Sequence, residues 1–140
     1  MTLFHALPPS AEAEACSLLS RLAADHAPVA AELSGVISLG RGTALRIDSP
    51  AMVALRAEIA DRFHGMLTAQ DQGRPRLHVT VQNKVTLAEA IALQEVLTAT
   101  FVARRFAFAG LALHAYRGGP WEPLGRWSFH GARKKAQLGG

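Results

Sequence analysis

The sequence predicts an α+β fold in which a strand–helix–strand–strand unit occurs twice. Three observations carry this prediction. Two segments, near residues 15–22 and 52–63, place apolar side chains at helical spacing, and a third helix opens on a capping box at Thr86 and Glu89. Two glycine-containing turns, Gly40-Arg41-Gly42 and Gly118-Gly119-Pro120, join strand-like runs as hairpins. Leu77 to Gln82 alternates apolar and polar side chains, the period of a half-buried strand.

Taken in order, residues 2–7 read as a strand that stops at Pro8-Pro9. Ser10 is a candidate N-cap for a helix over Glu12 to Ala24, with Ala15, Leu18, Leu19 and Leu22 on its apolar face. Pro28 precedes a strand over Val29 to Leu39, and Gly35 marks a bulge or bend within it. After the Gly40–Gly42 turn, Thr43 to Ile47 is the return strand. Asp48-Ser49-Pro50 starts a helix that runs to about Phe63, with Met52, Leu55, Ile59 and Phe63 as its stripe. Residues 68–76 form a polar loop, and the strand Leu77–Gln82 follows. A helix over 87–102 leads to a long strand from Arg105 to Tyr116, the Gly118–Pro120 turn and a final strand over Trp121 to Phe129. Residues 1–130 are expected to form a single domain and 131–140 a basic tail without structure.

The chain has 140 residues, of which 49% are hydrophobic and 19% charged, a globular rather than a disordered composition. The single cysteine, Cys16, excludes an intrachain disulfide and suits a reducing cytoplasm. No apolar run reaches the length of a membrane-spanning helix, and the N-terminus lacks the pattern of a signal peptide. The net charge is +4, but Arg133, Lys134 and Lys135 lie in the tail and without them it is +1. Charge alone therefore does not argue for nucleic-acid binding. Metal-ligand spacing, a phosphate-cradling glycine loop and a Gly-x-Ser-x-Gly elbow are all missing, so neither a metal nor another cofactor is expected.

The chemistry concentrates in Leu77-His78-Val79-Thr80-Val81. On a strand, His78, Thr80 and Gln82 share one face, while Leu77, Val79 and Val81 share the other and face a core. Met1-Thr2-Leu3-Phe4 echoes this motif without its histidine, and Thr2 stands where Thr80 stands in the second copy.

With Thr2-Leu3-Phe4-His5-Ala6-Leu7-Pro8, Ser38-Leu39-Gly40-Arg41-Gly42, His78 to Val85, and Tyr116 followed by Gly118 to Leu124, the chain resembles the 2H phosphoesterase superfamily, in its 2′-5′ RNA ligase-like branch. The resemblance covers nearly the whole chain. It implies a bilobal fold of two pseudo-symmetric lobes with antiparallel sheets, and two His-x-Thr/Ser motifs facing each other across a central groove. The first motif departs from the pattern, because Met1 occupies its middle position and the expected histidine would precede it. Either Met1 is an internal methionine with a strand encoded upstream, or the chain is shortened. The first is favoured because the cut falls immediately after the expected histidine.

The resemblance implies metal-free processing of cyclic phosphodiesters on nucleotides or RNA ends, such as 2′,3′-cyclic phosphates, by hydrolysis or by ligation. That reaction needs a base, an acid and donors to the non-bridging oxygens. His78 would be one of the proton-transfer groups, with Thr80 and Thr2 on the phosphate. Without a second histidine the chain is expected to be nearly inactive. Gln82, Arg41, His114 and Tyr116 are candidate substrate contacts, Tyr116 with Trp121 as an aromatic wall, although core packing is the stronger reading of Trp121. Strand parity turns His5 away from Thr2, which argues against it as the substitute. His26 and His64 read as helix-end residues and His130 as exposed. The expected partner is a nucleotide or RNA-end phosphodiester, and the expected state a cytoplasmic monomer. The alternative is a binding module that holds a phosphorylated ligand or RNA end without turnover. A third reading, a domain with no phosphate role, would be supported by His78 and Thr80 buried and satisfied by core neighbours.

Overall fold

A computed structural model describes residues 1–131 and shows three helices and six strands. In chain order these are α1 (Glu12–Asp25), β1 (Val29–Ser38), β2 (Thr43–Asp48), α2 (Pro50–Arg62), β3 (His78–Gln82), α3 (Leu87–Thr100), β4 (Arg104–Phe108), β5 (Gly110–Ala115) and β6 (Glu122–Ser128). Apart from Gly131, the tail expected over 131–140 lies outside the described residues. The fold is α+β, with strands distributed as a four-stranded sheet of order β3-β2-β1-β4 and a two-stranded sheet of β5 and β6. The chain divides into two compact units, Met1–Ala6 with Ala30–Phe106, and Leu7–Val29 with the segment from Ala107 onward.

The first unit is organised by the β1–β2 hairpin. Gly40 at its tip has φ of +83°, a left-handed conformation open to glycine at little cost, and the turn closes with the Leu39 N–H donating to Gly42 O at 3.0 Å. Gly42 has no room for a side chain, because a Cβ there would collide with the Gln82 carbonyl of β3. The register slips between Leu33 and Gly35, the bulge that Gly35 predicts. Ser49 caps α2, its hydroxyl accepting from the Met52 N–H at 3.2 Å. The stripe Met52, Leu55, Ile59 and Phe63 is buried throughout. Each such side chain contributes about 1.5–3 kcal/mol on leaving water. Thr86 caps α3 as expected, its hydroxyl accepting from the Glu89 N–H at 3.2 Å, while the Glu89 carboxylate accepts from that hydroxyl at 2.9 Å rather than from the Thr86 N–H of a full capping box; the helix buries only Ala90 and leaves Leu87, Ile91 and Val96 exposed.

In the second unit α1 packs against the β5–β6 hairpin. Its buried face is Ala15, Leu18, Leu19, Leu22 and Ala23. His26 donates from Nδ1 to Leu22 O at 2.8 Å, satisfying a carbonyl at the helix C-terminus.

Four expectations differ from the structure. Residues 2–7 are not a strand, since their backbone partners are side chains rather than a ladder. Ser10 does not cap α1. A 3₁₀ turn over Pro9–Ala11 runs into the helix, the Ala11 N–H donates to Pro8 O at 2.9 Å, and proline leaves no N–H to cap. The strand expected over 105–116 is two strands in different sheets, broken at Ala109, whose carbonyl accepts from the Phe129 N–H at 2.8 Å. Val79 and Val81, on the edge strand β3, are exposed rather than core-facing.

Candidate functional site

β3 places the histidine motif. It pairs antiparallel with β2, setting Arg46 opposite His78 and Ala44 opposite Thr80, with a register slip between Thr43 and Ala44. Leu77 anchors the strand in the core, and its carbonyl accepts from the Ile47 N–H at 2.9 Å. His78 is half-buried, and its Nδ1 lies 2.7 Å from Arg76 O. A carbonyl can only accept, so Nδ1 carries the proton and Nε2 is left as the nitrogen that can take or give one. Thr80 is exposed.

The N-terminal residues are brought to the same place by two side chains. Arg56 on α2 is only 6% exposed. It donates from Nε to Leu3 O at 3.0 Å and from a terminal nitrogen to Asp71 O at 2.7 Å, and its guanidinium lies 4.4 Å from the centre of the Phe4 ring. Asp71, in the 3₁₀ turn Ala69–Asp71, is 1% exposed. Its carboxylate accepts the His5 N–H at 2.9 Å on both oxygens, the Ala6 N–H at 3.1 Å and the His5 Nδ1–H at 2.8 Å. Burial pushes the Asp71 carboxyl up. The His5 backbone N–H, the His5 imidazole and the Ala6 N–H outweigh it and hold the group below the usual carboxylate range. The carboxylate is therefore ionised at neutral pH, and the His5 Nδ1 carries the proton.

These elements enclose an open cavity of about 460 Å³ within the first unit, lined by Thr2, His5, Arg56, Asp71, His78 and Thr80 among others. Arg74 and Arg76 add two exposed cations to its rim. Three arginines and two imidazoles against one carboxylate make a cavity that favours an anion. Hydroxyls and guanidinium forks supply donors that fit phosphate oxygens.

Thr2, His78 and Thr80 thus meet at one cavity. Gln82 does not line it; its side-chain oxygen accepts the hydroxyl of the fully buried Thr43 at 3.1 Å. Arg41 sits in the β1–β2 turn, where its carbonyl accepts the Val85 N–H at 3.1 Å. His114 is exposed on β5. Tyr116 and Trp121, 62% and 60% exposed, meet at a tilt of 43° with 5.3 Å between ring centres in the second unit. Trp121 is therefore not a core residue: it is exposed and immediately precedes β6.

Sequence reasoning missed Arg56 and Asp71 and misplaced His5. A signal existed for Arg56, which falls four residues after Met52 and three before Ile59, inside an apolar stripe where a cation must find partners. None existed for Asp71, whose partner His5 is 66 residues away.

Among the described residues no helix is long and apolar enough to cross a membrane, and no group of three or more His, Cys, Asp or Glu side chains comes together as a metal site. Comparisons with curated proteins and with solved structures give no match. The family model described as the 2′-5′ RNA ligase superfamily matches residues 1–120. That match spans both the His78–Thr80 strand and the Thr2 segment that share the cavity, and the chain belongs to the 2′-5′ RNA ligase superfamily.

Proposed function

We propose that this protein processes cyclic phosphodiesters of nucleotides or RNA ends, with 2′,3′-cyclic phosphates as its substrate class. His78 moves a proton at Nε2, and Thr80 and Thr2 hold non-bridging phosphate oxygens. The observation that carries this reading is the convergence of Thr2, His78 and Thr80 on one arginine-lined cavity in a chain of this superfamily. A buried motif would have favoured a domain with no phosphate role, and Thr80 is exposed.

The cavity divides the work among its side chains. The cations lower the cost of bringing an anion in and of the charge that builds on the non-bridging oxygens as water attacks phosphorus. His78, with its tautomer set by Arg76 O, presents Nε2 for transfer to the departing ribose oxygen. Water adds to phosphorus, the ribose–phosphate ester bond breaks, and a phosphomonoester remains.

The test is hydrolysis of a 2′,3′-cyclic nucleotide by the 140-residue chain and by His78→Ala. Loss of a proton-transfer group is expected to lower the rate by about 10²–10⁴. Equal rates in the two proteins would overturn the role of His78. Binding of a nucleoside 3′-phosphate that needs His78, without turnover, would instead support a non-catalytic phosphate-binding module.

A further inference from the structure

Resting on the reading above, we propose that Arg46 determines specificity at this site: it holds the 5′-side phosphate of the nucleotide whose 3′ phosphate lies at His78. Arg46 stands opposite His78 across the β2–β3 ladder and opposite Gly35 across the β1–β2 ladder. Residues opposed in this way share a face of the sheet, so Arg46 rises from the face that carries His78 and Thr80. Its side chain runs toward β1. Nη2, Cζ and Nε lie 3.3, 3.7 and 4.0 Å from the place that a Cβ on Gly35 would take. The register slip between Leu33 and Gly35 leaves Ser34 as the extra residue of the bulge, and the Ser34 hydroxyl accepts from Arg46 Nε at 3.1 Å.

These contacts fix the stem of the side chain and leave its end unused. Among the described residues the two terminal nitrogens of Arg46 make no hydrogen bond or ion pair. The acidic positions further along the ladder, Glu32 and Asp48, face each other and neither pairs with the guanidinium. A guanidinium keeps its charge at any working pH, and its paired terminal nitrogens match two oxygens of a phosphate. An arginine that met only solvent would need neither a glycine beneath it nor a bulged hydroxyl beside it.

Reach decides which phosphate. The strand order β3-β2-β1 puts two strand spacings between His78 and Gly35, about 10 Å at roughly 4.8 Å each. Arg46 does not line the cavity that holds Thr2, His78 and Thr80. That separation is wider than one phosphate and falls within the span of one nucleotide from its 3′ to its 5′ phosphate. A lone 2′,3′-cyclic nucleotide offers Arg46 nothing, whereas the last nucleotide of an RNA carries a phosphodiester on its 5′ oxygen. Arg46 thus acts on selection and takes no part in proton transfer.

The experiment measures, by calorimetry, the affinities of a nucleoside 3′,5′-bisphosphate and a nucleoside 3′-phosphate for the 140-residue chain, Arg46→Met, Arg46→Lys and His78→Ala. The quantity read is the ratio of the two affinities. The wild type is expected to prefer the bisphosphate by about tenfold or more, the worth of one charged hydrogen bond. In Arg46→Met the ratio falls to about one. Arg46→Lys keeps the stem and the charge without the fork, so its ratio lies between the two and covers a sheet disturbed by Met. Equal affinities in the wild type overturn the proposal. A preference that Arg46→Met leaves within about twofold also overturns it, the added charge then being met by other cations. Binding of the 3′-phosphate that survives His78→Ala unchanged, with a preference that still needs Arg46, overturns the placement of phosphate at His78 and leaves Arg46 as an anion site. A chain that binds neither ligand overturns both.

Discussion

Asp71→Asn removes one charge and reverses one hydrogen-bonding partner without changing size. The carboxylate serves three donors, two from the backbone and one from the His5 ring. A net bond to a charged group is worth about 1.5–3 kcal/mol and a neutral one about 1 kcal/mol. Asn keeps one oxygen for the backbone N–H groups, at neutral strength, and turns an NH₂ toward a ring nitrogen that already carries a proton. One bond lost and two weakened come to about 3 kcal/mol, or roughly two decades in the equilibrium that holds residues 1–6 in place. Native-state amide exchange reads this directly: His5 and Ala6 should exchange about 100-fold faster in the variant. Acid gives an independent arm. The Asp71 carboxyl lies below its ordinary value of 3.8 in the folded protein, so its contribution is complete above that pH and fades as pH falls through the lowered folded value. Protection of the two amides, corrected for intrinsic rates, should fall on acidification in the wild type at a slope of at most about 1.4 kcal/mol per pH unit and stay flat in Asp71→Asn. Amide exchange within about threefold of wild type at pH 7 would refute the clasp.

Arg56→Met keeps the apolar stem but leaves Leu3 O and Asp71 O without their donor, and a loss of about 2–4 kcal/mol is expected in urea unfolding. Phe63→Ala empties the end of the α2 stripe and should cost about 3–5 kcal/mol by the same measurement, as the ring is 1% exposed. Thr86→Ala removes the α3 N-cap and should cost about 1 kcal/mol, read as a small drop in Tm. Binding of a nucleoside 3′-phosphate should weaken steadily with added salt, measured by calorimetry, because its attraction to Arg74 and Arg76 acts at an exposed rim.

What the sequence revealed was local. The β1–β2 hairpin, the Gly35 bulge, the helix start at Asp48–Pro50, the Thr86 cap and the α2 stripe each have their causes within a few residues of one another, and each stands as expected. The family motif was legible for the same reason, being contiguous at His78–Thr80. The misses share a different cause. Ala109, at the break, accepts the Phe129 N–H from just past β6, and the N-terminal segment is held by Arg56 and Asp71, more than fifty residues on. Strand parity sets His5 aside only if residues 2–7 form a strand. Without a ladder the segment has no alternating faces, and His5 reaches the cavity that Thr2 also lines.

The Tyr116–Trp121 pair in the second unit has a use of its own. Tyr116 is the single tyrosine of the chain and lies against one of its two tryptophans. Light absorbed by that phenol can pass to the Trp121 indole, and the efficiency of that transfer depends on the separation and angle that the turn between them sets. The protein therefore carries an unlabelled optical gauge of one hairpin. A change seen there on adding a nucleotide would report on residues 116–121 and not on the histidines.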